Sequence, residues 1–311
     1  MGPELRRPWR KRGLVAIEPP ESSWRHSHAA LPVVELTDAD QPTVYFCARD
    51  EAGRSRIARG ALSLEQPVAR LAVESQPVLD LGSMGAFDES GVTTSCVVAD
   101  GSHRFLYYTG WSRGVTVPFY FYAGLAISED GGRSFARHSR APVLERDATD
   151  PYLTASPWVL IDNGRWRMWY VSCVRWEVGE SGPRHYYHIR HAESRDGITW
   201  RRTGHVCIDF ATSAEHAFGR PCVRRGDDGI YRMWYSYRGA SYRIGYAESR
   251  DGLAWTRHDA AAGIDVSPDG WDSEMIEYPA VFAWHGRDLM LYNGNDYGRT
   301  GLGLAEAALL A

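Results

Sequence analysis

The chain is 311 residues long, 44% of them apolar and 12% aromatic, with a formal net charge of −4 and an isoelectric point near 6.3. This composition excludes a disordered chain, and the slight acidic excess argues against a general nucleic-acid binder, which carries a basic surplus. No stretch approaches the roughly 20 apolar residues of a membrane helix, and the five cysteines, odd in number and without CxxC spacing, suggest neither a disulfide framework nor a zinc site.

Residues 1–22 read as a basic, Pro-containing lead-in with Arg6, Arg7, Arg10, Lys11 and Arg12. The apolar run that follows, Leu14 to Ile17, is too short for the core of a signal peptide. A cytoplasmic protein with buried free thiols is expected. Part of the lead-in is expected to pair as a strand with the last repeat.

Five segments then open in turn. The first is WRHSHAALPVVEL (Trp24 to Leu36); the second follows GAFDESGV (Gly85 to Val92) and carries an insert over Gly110 to Gly124. The third follows ERDATDPYLTAS (Glu145 to Ser156) and has an insert over Cys173 to His191. The fourth follows EHAFGR (Glu215 to Arg220), and the fifth follows GWDSEMIEY (Gly270 to Tyr278) and ends in LYNGNDYGRTG.

Three phrases recur through these segments. GYAESRDGLAW (Gly245 to Trp255) alternates with period 2 and then turns at Asp251-Gly252, the pattern of a strand entering a hairpin. RHAESRDGITW (Arg190 to Trp200) and GLAISEDGGRSF (Gly124 to Phe135) repeat it, and GLAEA (Gly303 to Ala307) is a truncated copy. β-rich runs end in an aromatic at Phe46, Tyr107, Tyr170, Tyr235 and Tyr292, and Pro32, Cys96, Pro157, Pro221 and Pro279 open apolar strands. All step by about 60 residues, the size of a four-stranded repeat. The expected fold is all-β: one domain over residues 1–311, a five-bladed β-propeller of four-stranded antiparallel blades.

In a propeller the segments before the innermost strands converge on one funnel. These hold Arg25, His26 and His28; Asp88 and Glu89; Asp147, Asp150 and Tyr152; Glu215, His216 and Arg220; and Asp272, Glu274, Glu277 and Tyr278. Acids recurring at one register in a partly dry cleft would have their pKa values pushed apart, as acid–base work requires. Trp111, Arg113, Trp176, His185, Tyr187 and His188 lie on inserts read as loops long enough to roof the funnel. Tyr237, Arg238, Arg243, Asn293, Asn295 and Tyr297 flank later hairpins. Arg113, Arg220, Arg238 and Arg243 would suit an anionic ligand.

The blade count and the S-x-D-G-x-x-W hairpin resemble the glycoside-processing propellers: arabinanases, xylosidases, invertases, levansucrases and mannoside phosphorylases. The motifs are also similar to those of bacterial proteins labelled only as glycosyl hydrolases. The resemblance implies three carboxylates at inner-strand starts. Asp150, before Pro151, matches the orienting acid of blade three, and Glu215 matches the general acid of blade four. In blade one, Arg25-His26-Ser27-His28 stands where the resemblance implies an Asp base. His26 or His28 could serve instead, or Asp88, Glu274 or Glu277 could substitute, or the reaction differs.

The expected function is cleavage or transfer of a glycosyl group, with Glu215 as acid, Asp150 orienting, and His28 or Glu274 as base. Substrate contacts are expected from His26, Asp88, Trp111, Arg113, Trp176, Arg220, Tyr237, Arg238, Glu277, Tyr278 and Asn295. The alternatives are phosphorolysis or action on a phosphorylated or nucleotide-linked sugar, and a non-catalytic glycan-binding or scaffold propeller. No cofactor is expected, although His26 and His28 leave a structural channel ion open. The expected partner is a carbohydrate or sugar-derived small molecule, neutral or anionic, with no nucleic acid and no membrane.

Overall fold

The Ser-x-Asp-Gly phrase builds the same turn three times. Gly252 N donates to Ser249 Oγ at 2.8 Å, and the N–H groups of Leu253 and Ala254 donate to Asp251 Oδ1, each at 2.8 Å. Ser194–Asp196 and Ser128–Asp130 repeat this arrangement. The Thr199 and Ile198 N–H groups hold the Asp196 carboxyl down to about 2. Gly132, Gly197 and Gly252 have φ of 82°, 72° and 71°, where a side chain is disfavoured. Each turn then latches onto the preceding unit: Tyr45 Oη donates to Gly132 O (3.3 Å), Tyr107 Oη to Gly197 O (2.6 Å) and Trp169 Nε1 to Gly252 O (2.8 Å). The phrase recurs because it is both the hairpin and the clasp between neighbours.

The computed structural model describes residues 8–18, 22–37, 41–65, 67–179 and 182–308. The remainder of the lead-in read from the sequence lies outside the described residues. The lead-in supplies β1 (Arg10–Leu14) and β2 (Ala16–Ile17). Five antiparallel meanders follow. The first is β3 (Ser27–Glu35), β4 (Thr43–Arg49), β5 (Ser55–Ser63) and β6 (Arg70–Val73). The second is β7 (Gly91–Asp100), β8 (His103–Arg113), β9 (Phe119–Ser128) and β10 (Ala136–Arg137). The third is β11 (Thr154–Asp162), β12 (Arg165–Gly179), β13 (Gly182–Ser194) and β14 (Arg201–Ile208). The fourth is β15 (Ala217–Arg225), β16 (Tyr231–Arg238), β17 (Tyr242–Ser249) and β18 (Thr256–Arg257). The last is β19 (Glu277–Trp284), β20 (Arg287–Asn293) and β21 (Leu302–Ala308), with β1 as its fourth strand.

The first two meanders join through one parallel bridge, Ser55 to Gly91, into a nine-stranded sheet; the other three are separate four-stranded sheets. The inner strands β3, β7, β11, β15 and β19 each pack on the next, and β19 packs on β3, so the ring closes. The core lies between facing meanders: Tyr107 with Met168 and Tyr170, Trp234 with Met290 and Tyr292, Phe46 with Leu289 and Leu291. No helix among the described residues is long and apolar enough to cross a membrane. All five cysteines are buried and free.

The Pro positions of the third phrase mark bulges in four inner strands. Leu31, Ser156, Arg220 and Tyr278, each followed by proline, have φ of 53°, 47°, 51° and 56° and coincide with register shifts. A left-handed non-glycine residue costs about 1–2 kcal/mol, and the neighbouring meander offsets that cost. Leu31 N donates to Asn293 Oδ1 (2.9 Å), Ser156 N to Thr109 Oγ1 (2.8 Å) and Tyr278 N to Ser236 Oγ (2.8 Å). Each is a side chain of the preceding meander round the ring.

At the bulge of β15, fully buried Arg220 crosses to the opposite side of the ring. It donates to Thr94 O (2.6 Å) and to the carbonyls of Leu31 and Pro32. Burial pulls its pKa down to about 10, and the buried thiols Cys222, Cys47 and Cys96 surround it. This corrects the reading of Arg220 as a substrate contact: its guanidinium is occupied in binding the inner strands together.

β1 covers the edge of β21 from Arg10↔Glu306 to Leu14↔Gly303, with one register shift between Lys11 and Gly13. Lys11 Nζ reaches the buried Asp272 at 2.7 Å. Lys11→Met is expected to cost about 2 kcal/mol, less than for a fully buried pair because the lysine is 25% exposed. A fall in the urea midpoint at neutral pH checks this; an unchanged midpoint contradicts it.

Candidate active site

The acids that recur at one register turn out to build the frame. Asp88, Asp150 and Asp272 each lie 20 residues before a mid-strand tyrosine that donates to them: Tyr108 (3.0 Å), Tyr170 (2.8 Å) and Tyr292 (2.9 Å). A cation of the same meander completes each set: Arg137 on Asp88 (2.7 Å), Arg190 and Arg202 on Asp150 (3.0 Å each) and Lys11 on Asp272 (2.7 Å). Ser172 also donates to Asp150 (2.6 Å). In the fourth meander Arg257 grips Glu215 with both Nη atoms (2.9 and 2.7 Å) and also holds Asp259, the partner of Tyr235. The recurrence therefore has a structural cause, because the second to fifth meanders each hold one ion-paired acid just before the inner strand.

This changes how the expected site residues read. Asp88 and Asp150 are buried and fully partnered. For Glu215, burial is the largest influence and would raise the pKa; Arg257 and the Ala211 N–H nevertheless hold it below the usual range. A general acid needs the opposite shift. Trp111 donates to Ser55 Oγ (3.0 Å) and Arg113 to Ala52 O (2.9 Å), so both tie the second meander to the first. Asn295 accepts from the N–H groups of Glu274 and Met275 and organises that loop, while the Glu274 side chain is exposed. His26 is exposed, 4.0 Å from Glu51. Tyr237 packs beneath Arg257, 5.7 Å from its ring centroid.

A second group of residues does gather, at the leading ends of β3, β15 and β19. Glu277 opens β19, is fully buried, and makes no hydrogen bond of regular geometry on either carboxyl oxygen, although the adjacent Tyr278 hydroxyl interacts with it. Burial pushes its pKa well above the usual range, against the opposing influence of Tyr278, Arg238 and Arg49. Arg238 ends β16 and donates to Tyr297 Oη (3.0 Å), but its Nε is buried without a partner. Arg49 ends β4 opposite Ser27. His28 follows at φ 63°, its Nδ1 3.0 Å from Ser27 Oγ, and faces Arg49, Arg299 and Asp296. The Tyr242 ring lies 6.4 Å from Tyr278 and 6.2 Å from Tyr297. Tyr187 Oη and His216 Nδ1 are also buried without partners. Unpaired buried polar groups are rare, and these occur together on different meanders.

The inserts read as roofing loops are instead extended hairpins. β12 and β13 run 15 and 13 residues and stay paired to Gly179↔Gly182. Their length carries Trp176 and His185 beside Phe119 of β9. Phe119 stacks on Phe121 (4.2 Å) and meets Trp176 edge-on (5.5 Å), and His185 stacks on Tyr187 (4.1 Å). An aromatic wall thus runs from the hairpins to the orphaned polar groups. Of the expected residues, His28, Arg238, Glu277 and Tyr278 meet in this cluster, with Trp176 on the wall. The sequence reading missed Arg49, although it stands three residues after the aromatic anchor Phe46, as Arg238 stands three after Tyr235.

Burial, reinforced by nearby arginines, lowers the histidines: His28, His188, His191 and His216 to about 4 and His185 to about 3. In the unfolded chain each would titrate near 6.5, so below that pH the unfolded state binds more protons. Stability contributed by the neutral rings is complete above about 6.5 and is lost as pH falls towards 4. The urea midpoint is therefore expected to drop between pH 7 and pH 5; a flat profile would contradict the buried neutral rings. Among the described residues no group of three or more His, Cys, Asp or Glu could hold a metal ion.

No protein-family model matches the chain. Two uncharacterized proteins of Mycobacterium tuberculosis, MT1551 of strain CDC 1551 and Rv1502 of strain H37Rv, are each 46% identical over 297 residues, 96% of this chain and 98% of theirs. Solved structures share the fold at low identity. A complex of BT0996 with RGII has a TM-score of 0.77 at 17% identity, covering 99% of this chain and 94% of its own. A glycoside hydrolase has 0.76 at 16%, with the same coverage. A thermostable family-43 glycoside hydrolase has 0.68 at 16%, covering 92% and 90%. The chain therefore shares the β-propeller fold of these structures.

Proposed function

The chain belongs to the family of the uncharacterized M. tuberculosis proteins MT1551 and Rv1502, and we propose that it is a glycoside-cleaving or glycosyl-transferring enzyme whose acid is Glu277. We read the five meanders as five blades of one propeller domain in a reducing, cytoplasmic setting. The observation that carries the proposal is a fully buried carboxyl with no regular hydrogen bond on either oxygen, at the convergence of three inner strands. Burial raises the pKa of Glu277 and so favours the protonated state, in which it can donate to a departing glycosidic oxygen. His28 is neutral at pH 7 and can take the proton of an attacking water or hydroxyl. The proton given by Glu277 leaves with the aglycone, and the new bond forms at the anomeric carbon. Tyr278, Tyr297 and Arg238 are placed to bind hydroxyls, and the Trp176–Phe119 wall offers faces on which sugar rings stack.

The reading differs from the sequence expectation in its acid, because Glu215 is held ionised by Arg257. The glycoside hydrolase neighbours support the reaction class by likeness of fold. The test is turnover of para-nitrophenyl glycosides and oligosaccharides, read as chromophore and reducing-end release, for the wild-type protein and for Glu277→Gln. Release by the wild type that collapses in the variant supports the reading; equal release by both, or none by either, overturns it.

A further inference from the structure

Partly buried arginines elsewhere in the molecule carry carboxylates. Arg56 pairs with Asp50 and Asp80, Arg104 with Glu35, Arg137 with Asp88, and Arg257 with Glu215 and Asp259. The arginines around Glu277 are different. Among the described residues Arg49, Arg184, Arg238 and Arg299 make no ion pair, and the Arg238 guanidinium donates to the neutral Tyr297 hydroxyl. Arg49 and Arg238 both act on Glu277; Arg184 and Arg238 act on His185 and His216; Arg49 and Arg299 act on His28. Arg49 at the end of β4 and Arg238 at the end of β16 are the half-buried pair of these that acts on Glu277. Burial disfavours the ionised form of Glu277 that would cancel their charge. Asp296, the acid acting on His28, is exposed. A protein of net charge −4 thus places two half-buried arginines without ion pairs, Arg49 and Arg238, beside a buried carboxyl, while Arg184 and Arg299 are exposed.

A guanidinium fork taken up neither by an acid nor, as in Arg220, by backbone carbonyls is suited to an oxyanion, whose paired oxygens match the planar group. We infer that the cluster at the leading ends of β3, β15 and β19 binds an oxyanion, a phosphate or carboxylate, gripped by Arg49 and Arg238 beside Glu277. The inference deepens the proposed function and rests on the same site: the substrate class is an anionic sugar, or a neutral glycoside accompanied by free phosphate. Anion binding would also favour the protonated form of Glu277, since a neighbouring negative charge disfavours a second one.

The experiment is calorimetric titration and thermal shift with inorganic phosphate, mannose 1-phosphate, glucuronate, mannose and glucose, at matched ionic strength so that screening is equal. At least one anionic probe is expected to bind and the neutral sugars to bind far more weakly. Arg49→Met and Arg238→Met are each expected to raise the anion Kd by about tenfold or more. Arg10→Met, which removes the exposed Arg10–Glu306 pair at the ring closure, is expected to leave the Kd unchanged. Binding of phosphate alone identifies a free-anion site, and binding only of the sugar-borne anions assigns the charge to the substrate. Neutral sugars binding as tightly as anions, no anion binding, or a Kd unmoved in both methionine variants overturns the inference. The two proposals fail separately. Anion binding with turnover unaffected by Glu277→Gln rejects the catalytic reading alone, and Glu277-dependent turnover of neutral glycosides without anion binding rejects the anion alone.

Discussion

Glutamine in place of Glu277 is expected to lower turnover of oligosaccharides by about a hundred- to ten-thousand-fold, the contribution of a positioned general acid. The fold should survive the change. Glutamine has the size of a protonated glutamic acid and carries no charge, so the buried position sees little change at neutral pH. The linkage sign gives a second readout. The folded pKa of Glu277 lies well above its unfolded value of about 4.5, so above 4.5 the unfolded state releases a proton that the folded state keeps. Wild-type stability is then lost as pH rises from 4.5 towards the folded pKa, and the variant should gain on the wild type over that interval. Substrate choice sharpens the test. A para-nitrophenolate leaving group needs little protonation, so the loss should be smaller on aryl glycosides than on oligosaccharides. An equal loss on both would indicate that Glu277 positions the substrate rather than protonating the leaving group.

Asp150→Ala is expected to act on stability and not on chemistry. Asp150 is fully buried and receives Tyr170, Ser172, Arg190 and Arg202. Removing it leaves two guanidinium groups, 16% and 13% exposed, without their carboxylate. Breaking a buried pair from one side costs about 3–5 kcal/mol, equivalent to a fall of about 10 °C in Tm at about 2–4 °C per kcal/mol. Thermal unfolding checks the magnitude, and activity per folded molecule checks the role. A variant that keeps its Tm but loses kcat would return Asp150 to the chemistry that the sequence resemblance implied.

The carboxylates show how far the sequence could be read. Asp88, Asp150 and Glu215 stand out because they recur at one register, and in a repeat fold a recurring residue serves what the repeats have in common. Here that is an ion-paired acid before the inner strand in four of the five meanders, with Tyr108, Tyr170 and Arg257 among the partners. The residues that differ between repeats are the informative ones. Glu277 occupies a strand start where other meanders place Thr154 or Ala217.

The sequence by itself determined the repeat. Ser-x-Asp-Gly turns, aromatic strand ends and strand-opening prolines are local signals, because turn geometry, β preference and the left-handed bulge before each proline act within a few residues. They gave the number of strand groups, their order and the pairing of the lead-in with the last group. Only the tertiary structure decided which charged groups are neutralised. Arg257 reaches Glu215 across 42 residues, Arg220 reaches Thr94 across 126, and Glu277 is left without a regular hydrogen bond. Whether a carboxyl is a strut or an acid depends on burial and on the cation brought to it. Both are fixed by the closing of the ring and leave no local trace in the chain.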